Sequence, residues 1–178
     1  EDRRTVTVVF ADPKPTSMRG GALDAATTRT IMSRYFDTVS AVLVAHGGTV
    51  EKFIGDALMA VFGLPVRHED DAARAVRAAS EMQEAVARLN DELEAVHGVR
   101  FANPTGVNTG TVVAGDPTSG QRLVTGDAVN VAARLEQTAG DGDVVLGPLT
   151  ERLVRGVVEV DALEPLVLKG KAEPVPAF

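Results

Sequence analysis

An α+β fold, with helices packed on a mostly antiparallel sheet, is what this chain predicts, and three observations carry the prediction. Apolar residues recur at spacings of three or four through two long segments, about 23–46 and 69–96. Short β-branched and apolar runs, bounded by glycine, proline and asparagine, flank those segments. Their order is strand, helix, hairpin, helix, hairpin, which places helices against hairpin-built sheet.

Taken in order, Thr5-Val6-Thr7-Val8-Val9-Phe10 is too short for a helix and reads as a buried strand. The following Ala11–Ser17 stretch, containing Pro13-Lys14-Pro15, reads as a proline-broken loop. Ile31, Tyr35, Val39, Val42 and His46 mark one face of a helix that Gly47-Gly48 stops. Thr49–Phe53 and Ala57–Phe62 read as paired strands joined at Gly55-Asp56, a dipeptide suited to a two-residue turn. Val76, Ala79, Met82, Val86, Leu89 and Leu93 form the buried stripe of the second long helix, whose first turn is acidic and which Gly98 ends. Two further strands are expected to flank a turn at Asn108-Thr109-Gly110. A third helix starts near Asp127, read as its N-cap, and carries Ala128–Gln137. The tail alternates strands at about Val144–Leu146, Val157–Val160 and Leu166–Lys169 with a short helix around Leu149–Val154.

Composition narrows the function. The 178 residues suffice for one domain with a substantial core, and 44% hydrophobic with 24% charged residues is ordinary for a globular chain. With no cysteine, a disulfide scaffold, a thiolate zinc site and a cysteine nucleophile are all excluded. A formal charge of −7 argues against a nucleic-acid polymer as partner, and one Tyr with no Trp offers no base-stacking platform. No apolar run reaches the ~18 residues of a membrane helix, so no membrane contact is expected from this segment and its expected location is cytoplasmic. The start at Glu1-Asp2-Arg3-Arg4 carries no signal peptide and is the abrupt opening expected of one domain, residues 1–178, cut from a longer protein.

The candidate chemistry begins with two carboxylates at comparable corners, Asp12 after the first strand and Asp56 at the tip of the first hairpin. If those strands are neighbours, both carboxylates leave the same edge of the sheet. Mg²⁺ suits such a pair, since it takes few carboxylates and completes its shell with water and phosphate oxygens. Each aspartate by itself is better explained by a turn that bonds its own backbone. Asn130 and Arg134, one helical turn apart, can present an amide and a guanidinium together to a ribose or phosphate oxygen, or else form a solvated stripe. Lys52 and Lys169 can meet phosphate or a base edge, although most surface lysines do neither. Gly115–Gly120 has the glycine spacing of a phosphate-binding loop, but Gln121-Arg122 follows where Lys and Ser/Thr belong, which rejects it. His46, His68 and His97 lack metal-binding spacing.

Together these segments resemble the class III adenylate and guanylate cyclase catalytic domain, in its bacterial style. The resemblance rests on Val8–Asp12, Gly47–Asp56, Gly106–Gly110, Gly126–Glu136 and Leu168–Lys171, in family order across nearly the whole chain. It implies a ferredoxin-like core in a head-to-tail homodimer with two sites at the interface. Asp12 and Asp56 would bind two Mg²⁺ or Mn²⁺ ions. Asn130 would orient the ribose, Arg134 would stabilise the phosphoryl group in flight, and Lys169 would hold the triphosphate. Lys52 matches the purine-reading position, where lysine is similar to adenylate rather than guanylate cyclases, so ATP is the implied substrate and cyclic AMP the product.

Two stretches depart from the family pattern. Pro13-Lys14-Pro15 stands where an apolar pair and glycine usually follow the first aspartate, and proline has no N–H to offer a phosphate. Leu123 stands at the second purine-reading position and cannot bond the adenine amine, which leaves room for GTP. The alternatives are therefore a cyclase with loose base selection, or a catalytically weak domain serving dimerisation or regulation. A diguanylate cyclase fits poorly, because its Gly-Gly-Asp/Glu-Glu-Phe signature is missing.

Overall fold

Six consecutive buried residues, Val6 to Ala11, mark β1 (Asp2–Ala11) as the strand around which the sheet is assembled. It pairs antiparallel with β4 (Leu58–Phe62) on one side and with β6 (Thr105–Ala114) on the other. β3 (Thr49–Lys52) extends the β4 edge, while β7 (Val124–Thr125) and the parallel β8 (Val144–Leu146) share the far edge of β6. A separate two-stranded sheet joins β2 (Lys14–Met18) to β5 (Val99–Ala102). The computed structural model describes residues 2–18, 21, 23–52, 55–115, 124–168 and 171–178.

Strand alternation sends Val9 and Ala11 to one face of the sheet and Val6, Val8 and Phe10 to the other. The first face packs under α1 (Ala25–Ala45) and α2 (Asp71–His97), through Ile31, Tyr35, Val39, Leu43, Met82 and Leu93. The second meets α3 (Asp127–Thr138) through Ala128, Val129 and Ala132. α4 (Pro148–Val154) closes the order of helices. This is the α+β architecture expected, a mostly antiparallel sheet covered by helices. The α2 stripe read from the sequence is buried throughout; on α1, Leu43 is buried and Val42 only half-buried.

Several local expectations are corrected. Asn108-Thr109-Gly110 is no turn, since β6 runs unbroken through it, opposite Val8, Thr7 and Val6. Each of the three has a packing role: Asn108 donates to the Ala128 carbonyl at 3.0 Å, the Thr109 hydroxyl lies within hydrogen-bond distance of those of Thr7 and Thr150, and a Cβ on Gly110 would come within 2.9 Å of Ala128 Cβ. Residues that favour turns were selected here for close helix–sheet contact. The Pro13-Lys14-Pro15 stretch is only partly loop, because Lys14–Met18 pairs with β5 around an irregularity between Pro15 and Ser17. Proline tolerates that place because an edge strand leaves its missing donor without consequence.

The connection at Gly55-Asp56 is wider than a two-residue turn, since Ala57 lies outside β4 and the last described pair is Lys52–Leu58. Gly126, not Asp127, occupies the N-cap of α3. In the tail, Val158 and Leu166 form isolated bridges with Arg155 and Val175 in place of the two expected strands.

Candidate active site

The β1–β4 register places two carboxylates at one corner. Ala11 faces Leu58 in the last pair, so Asp12 leaves β1 where the loop carrying Asp56 enters β4. Burial pushes the Asp12 carboxyl above its ordinary range; the Lys14 ammonium opposes that rise and the Asp56 charge adds to it. With the Asp56 charge reaching Asp12, the two carboxylates are placed to share a cation. Asp56 also lines a cavity of about 350 Å³ with Arg29, Ser33, Tyr35 and Phe36 of α1. Among the described residues, no three His, Cys, Asp or Glu side chains converge as a metal cage. Two carboxylates with open space beside them fit Mg²⁺ or Mn²⁺, which draw remaining ligands from water and phosphate.

α3 supplies a second group of side chains. Asn130 and Arg134 are exposed and line a cavity of about 440 Å³ with Asp127, Gln137, Leu168 and Lys171. The Arg134 guanidinium makes a 3.4 Å contact with Gln137 and keeps most of its donors for another acceptor. Lys171 is ion-paired with Asp127 at the wall of this cavity. Lys171 was not singled out from the sequence, although it stands two residues beyond Lys169 in the same basic stretch.

The inner face of α3 carries Glu136, only 3% exposed, with one carboxylate oxygen lacking a hydrogen-bond partner. Burial pushes its carboxyl up to about 7, with Lys14 opposing and Asp12 adding. The sequence places Glu136 within a motif, but nothing in it distinguishes a buried glutamate from a solvated one. Lys52 ends β3 opposite Leu58, beside the Asp56 loop. Leu123 and Lys169 lie outside the described residues, as do residues 116–120 of the rejected glycine-spaced segment.

The strand-end carboxylates and the outward amide and guanidinium of α3 are the candidate site on this sheet. The model of the adenylate and guanylate cyclase catalytic domain matches residues 1–176, and the chain belongs to that family. It is thereby a domain of the purine nucleotide cyclase class.

Among curated relatives, adenylate cyclase 1 of Rhizobium meliloti is 34% identical over 137 residues, covering 75% of this chain and 21% of the relative. The adenylate cyclase of Anabaena cylindrica is 32% identical over 162 residues, covering 86% and 31% respectively. The chain thus spans a third or less of either relative. Of solved structures, the guanylyl cyclase Cya2 superposes with a TM-score of 0.83 at 30% identity, covering 99% of this chain and 91% of that one. The adenylyl cyclase CyaB from P. aeruginosa gives 0.81 at 26% identity, covering 99% and 93%.

Proposed function

We propose that this domain converts ATP to 3′,5′-cyclic AMP and pyrophosphate in a homodimer whose two sites are each built from both chains. The observation that carries this reading is the division of labour on α3. Asn130 and Arg134 lie on the exposed side of the helix, whereas Glu136 is on the buried side, where the charge of the chain's own Asp12 reaches it. At 3.6 residues per turn, positions 130 and 134 share a face that 136 opposes. A chain whose amide and guanidinium point away from its own carboxylates needs a second copy to complete a site.

Asp12 and Asp56 would hold two Mg²⁺ or Mn²⁺ ions, which, when bound, lower the pKa of the ribose 3′-hydroxyl and offset phosphate charge. The 3′-hydroxyl releases its proton to solvent and its oxygen attacks the α-phosphorus in line; a new P–O bond forms, the bond to the bridging oxygen breaks and pyrophosphate departs, free to take up a proton from water. From the partner chain, Asn130 orients the ribose, and the Arg134 guanidinium bonds the α-phosphoryl oxygens as their charge is redistributed. Lys169 holds the triphosphate end. Lys52 reads the purine, and its identity, with relatives named as adenylate cyclases, supports ATP. Leu123 offers no hydrogen bond to the base, which supports some turnover of GTP.

One observation favours the alternative of a weak or silent regulatory module. The backbone just after Asp12 is engaged in β2–β5 pairing, and Pro13 and Pro15 have no N–H to give a phosphate. The discriminating experiment is incubation with ATP or GTP and Mn²⁺ followed by chromatography. Cyclic AMP as the main product supports the enzyme; no cyclic product from either nucleotide, in a folded dimer, supports the module.

A further inference from the structure

The register that brings Asp12 and Asp56 together also brings the end of α3 to the same corner. Phe10 faces Gly106 and Ala11 faces Thr105, so Asp12 emerges one residue beyond the last β1–β6 pair. Phe10, two residues before Asp12, lies on the face that α3 covers. α3 lies directly on that strand: a Cβ on Gly106 would stand 2.3 Å from the Ala132 carbonyl oxygen and 2.5 Å from the Glu136 amide nitrogen. The backbone of Glu136 therefore sits over the strand pair adjoining Asp12, with its side chain buried beneath the helix.

A buried carboxylate oxygen without a partner is costly to maintain, and groups of this kind call for an explanation. The charges that reach it are Asp12 and, from β2, Lys14; it acts in turn on the buried Tyr35 of α1. Among the described residues, no three acidic or imidazole side chains converge here as a metal cage.

We propose that Glu136 is a positioning residue that couples the Asp12 corner of its own chain to the Asn130–Arg134 face which that chain offers to its partner's site. The inference rests on the shared-site reading above. Positive charge arriving at Asp12 draws the Glu136 carboxylate away from Lys14 and towards the loaded corner. Because α3 runs unbroken to Thr138 and is seated directly on Gly106, its last turns respond together, and Arg134 lies within them. Cation loading of one site would thus steady the helix that serves the other, and by reciprocity an occupied Arg134 would favour loading of its own chain's corner.

The test is amide hydrogen exchange across α3 in the nucleotide-free dimer, with Mn²⁺ binding followed in parallel by the electron paramagnetic resonance of free Mn²⁺. In the wild type, bound Mn²⁺ should slow exchange over Leu135–Thr138 by at least about fivefold, the lower end of ordinary coupling between sites. Glu136→Gln should still bind Mn²⁺ and lose that slowing. Glu136→Asp, which withdraws the charge by one methylene, should show a reduced response and serves if the Gln variant does not fold. Mn²⁺ that binds without altering α3 in the wild type, or a Gln variant that responds fully, overturns the coupling while leaving the cation site intact. Mn²⁺ binding that survives Asp12→Asn, or is absent from the wild type, overturns the cation-site reading and the coupling with it.

Discussion

The carboxyl of Glu136 shows how burial writes a pH dependence into stability. Its pKa rises from 4.5 to about 7 on folding. Between those values the native chain holds a proton that the unfolded chain has released, so stability falls as pH rises through that window. The full effect, with the cation-free protein at pH 8, is at most about 3 kcal/mol. Asp12 shifts in the same direction and adds to the trend. Urea titrations in chelator at pH 5 and pH 8 should show the wild type weakening and Glu136→Gln weakening much less. Equal losses in the two proteins would locate the dependence elsewhere. At the opposite side of the corner, Asp12→Ala or Asp56→Ala should reduce cyclisation at least about a hundredfold, because one carboxylate cannot hold two cations against a triphosphate. Near-normal turnover in either variant, read by cyclic AMP formation, would refute the two-ion assignment.

Among the elements, α3 is the most exacting, because it is laid on β6 without a side chain between them at Gly106. Gly106→Ala must displace backbone rather than a flexible side chain. It should cost about 1–3 kcal/mol of stability and lower turnover beyond that loss, since Arg134 moves with the helix. A thermal melt and a rate measured well below it separate the two effects; an unchanged melt would mean the helix has more room than the packing allows. The same contact explains where sequence reading succeeded and failed. β1, α1 and α2 were legible because their burial follows simple periods, of two in a strand and 3.6 in a helix. Asn108 and Gly110 were misread because a turn and a close helix–sheet contact both select small or amide side chains. The role of β2 was hidden because Pro13 and Pro15 read as breakers, although an edge strand accommodates them. Asp12, Asp56, Asn130 and Arg134 were nameable as candidates only through their order along the chain. Glu136 was not, because its unpaired oxygen arises from packing that no local pattern records.

At the scale of the whole molecule, the domain divides its candidate site residues between two surfaces: the strand-end corner with Asp12 and Asp56, and the exposed face of α3 with Asn130 and Arg134. If these surfaces from two different chains make one site, subunit mixing will restore activity to a pair of inactive variants. Asp56→Ala and Arg134→Ala proteins should each be nearly inactive alone. In a mixed dimer, the Arg134→Ala chain contributes intact carboxylates and the Asp56→Ala chain contributes an intact arginine, so one of the two sites is whole. Random exchange of equal amounts makes half the dimers mixed, so up to about a quarter of wild-type cyclic AMP production should return. No recovery, with mixed dimers demonstrated by mass spectrometry, would contradict the shared site.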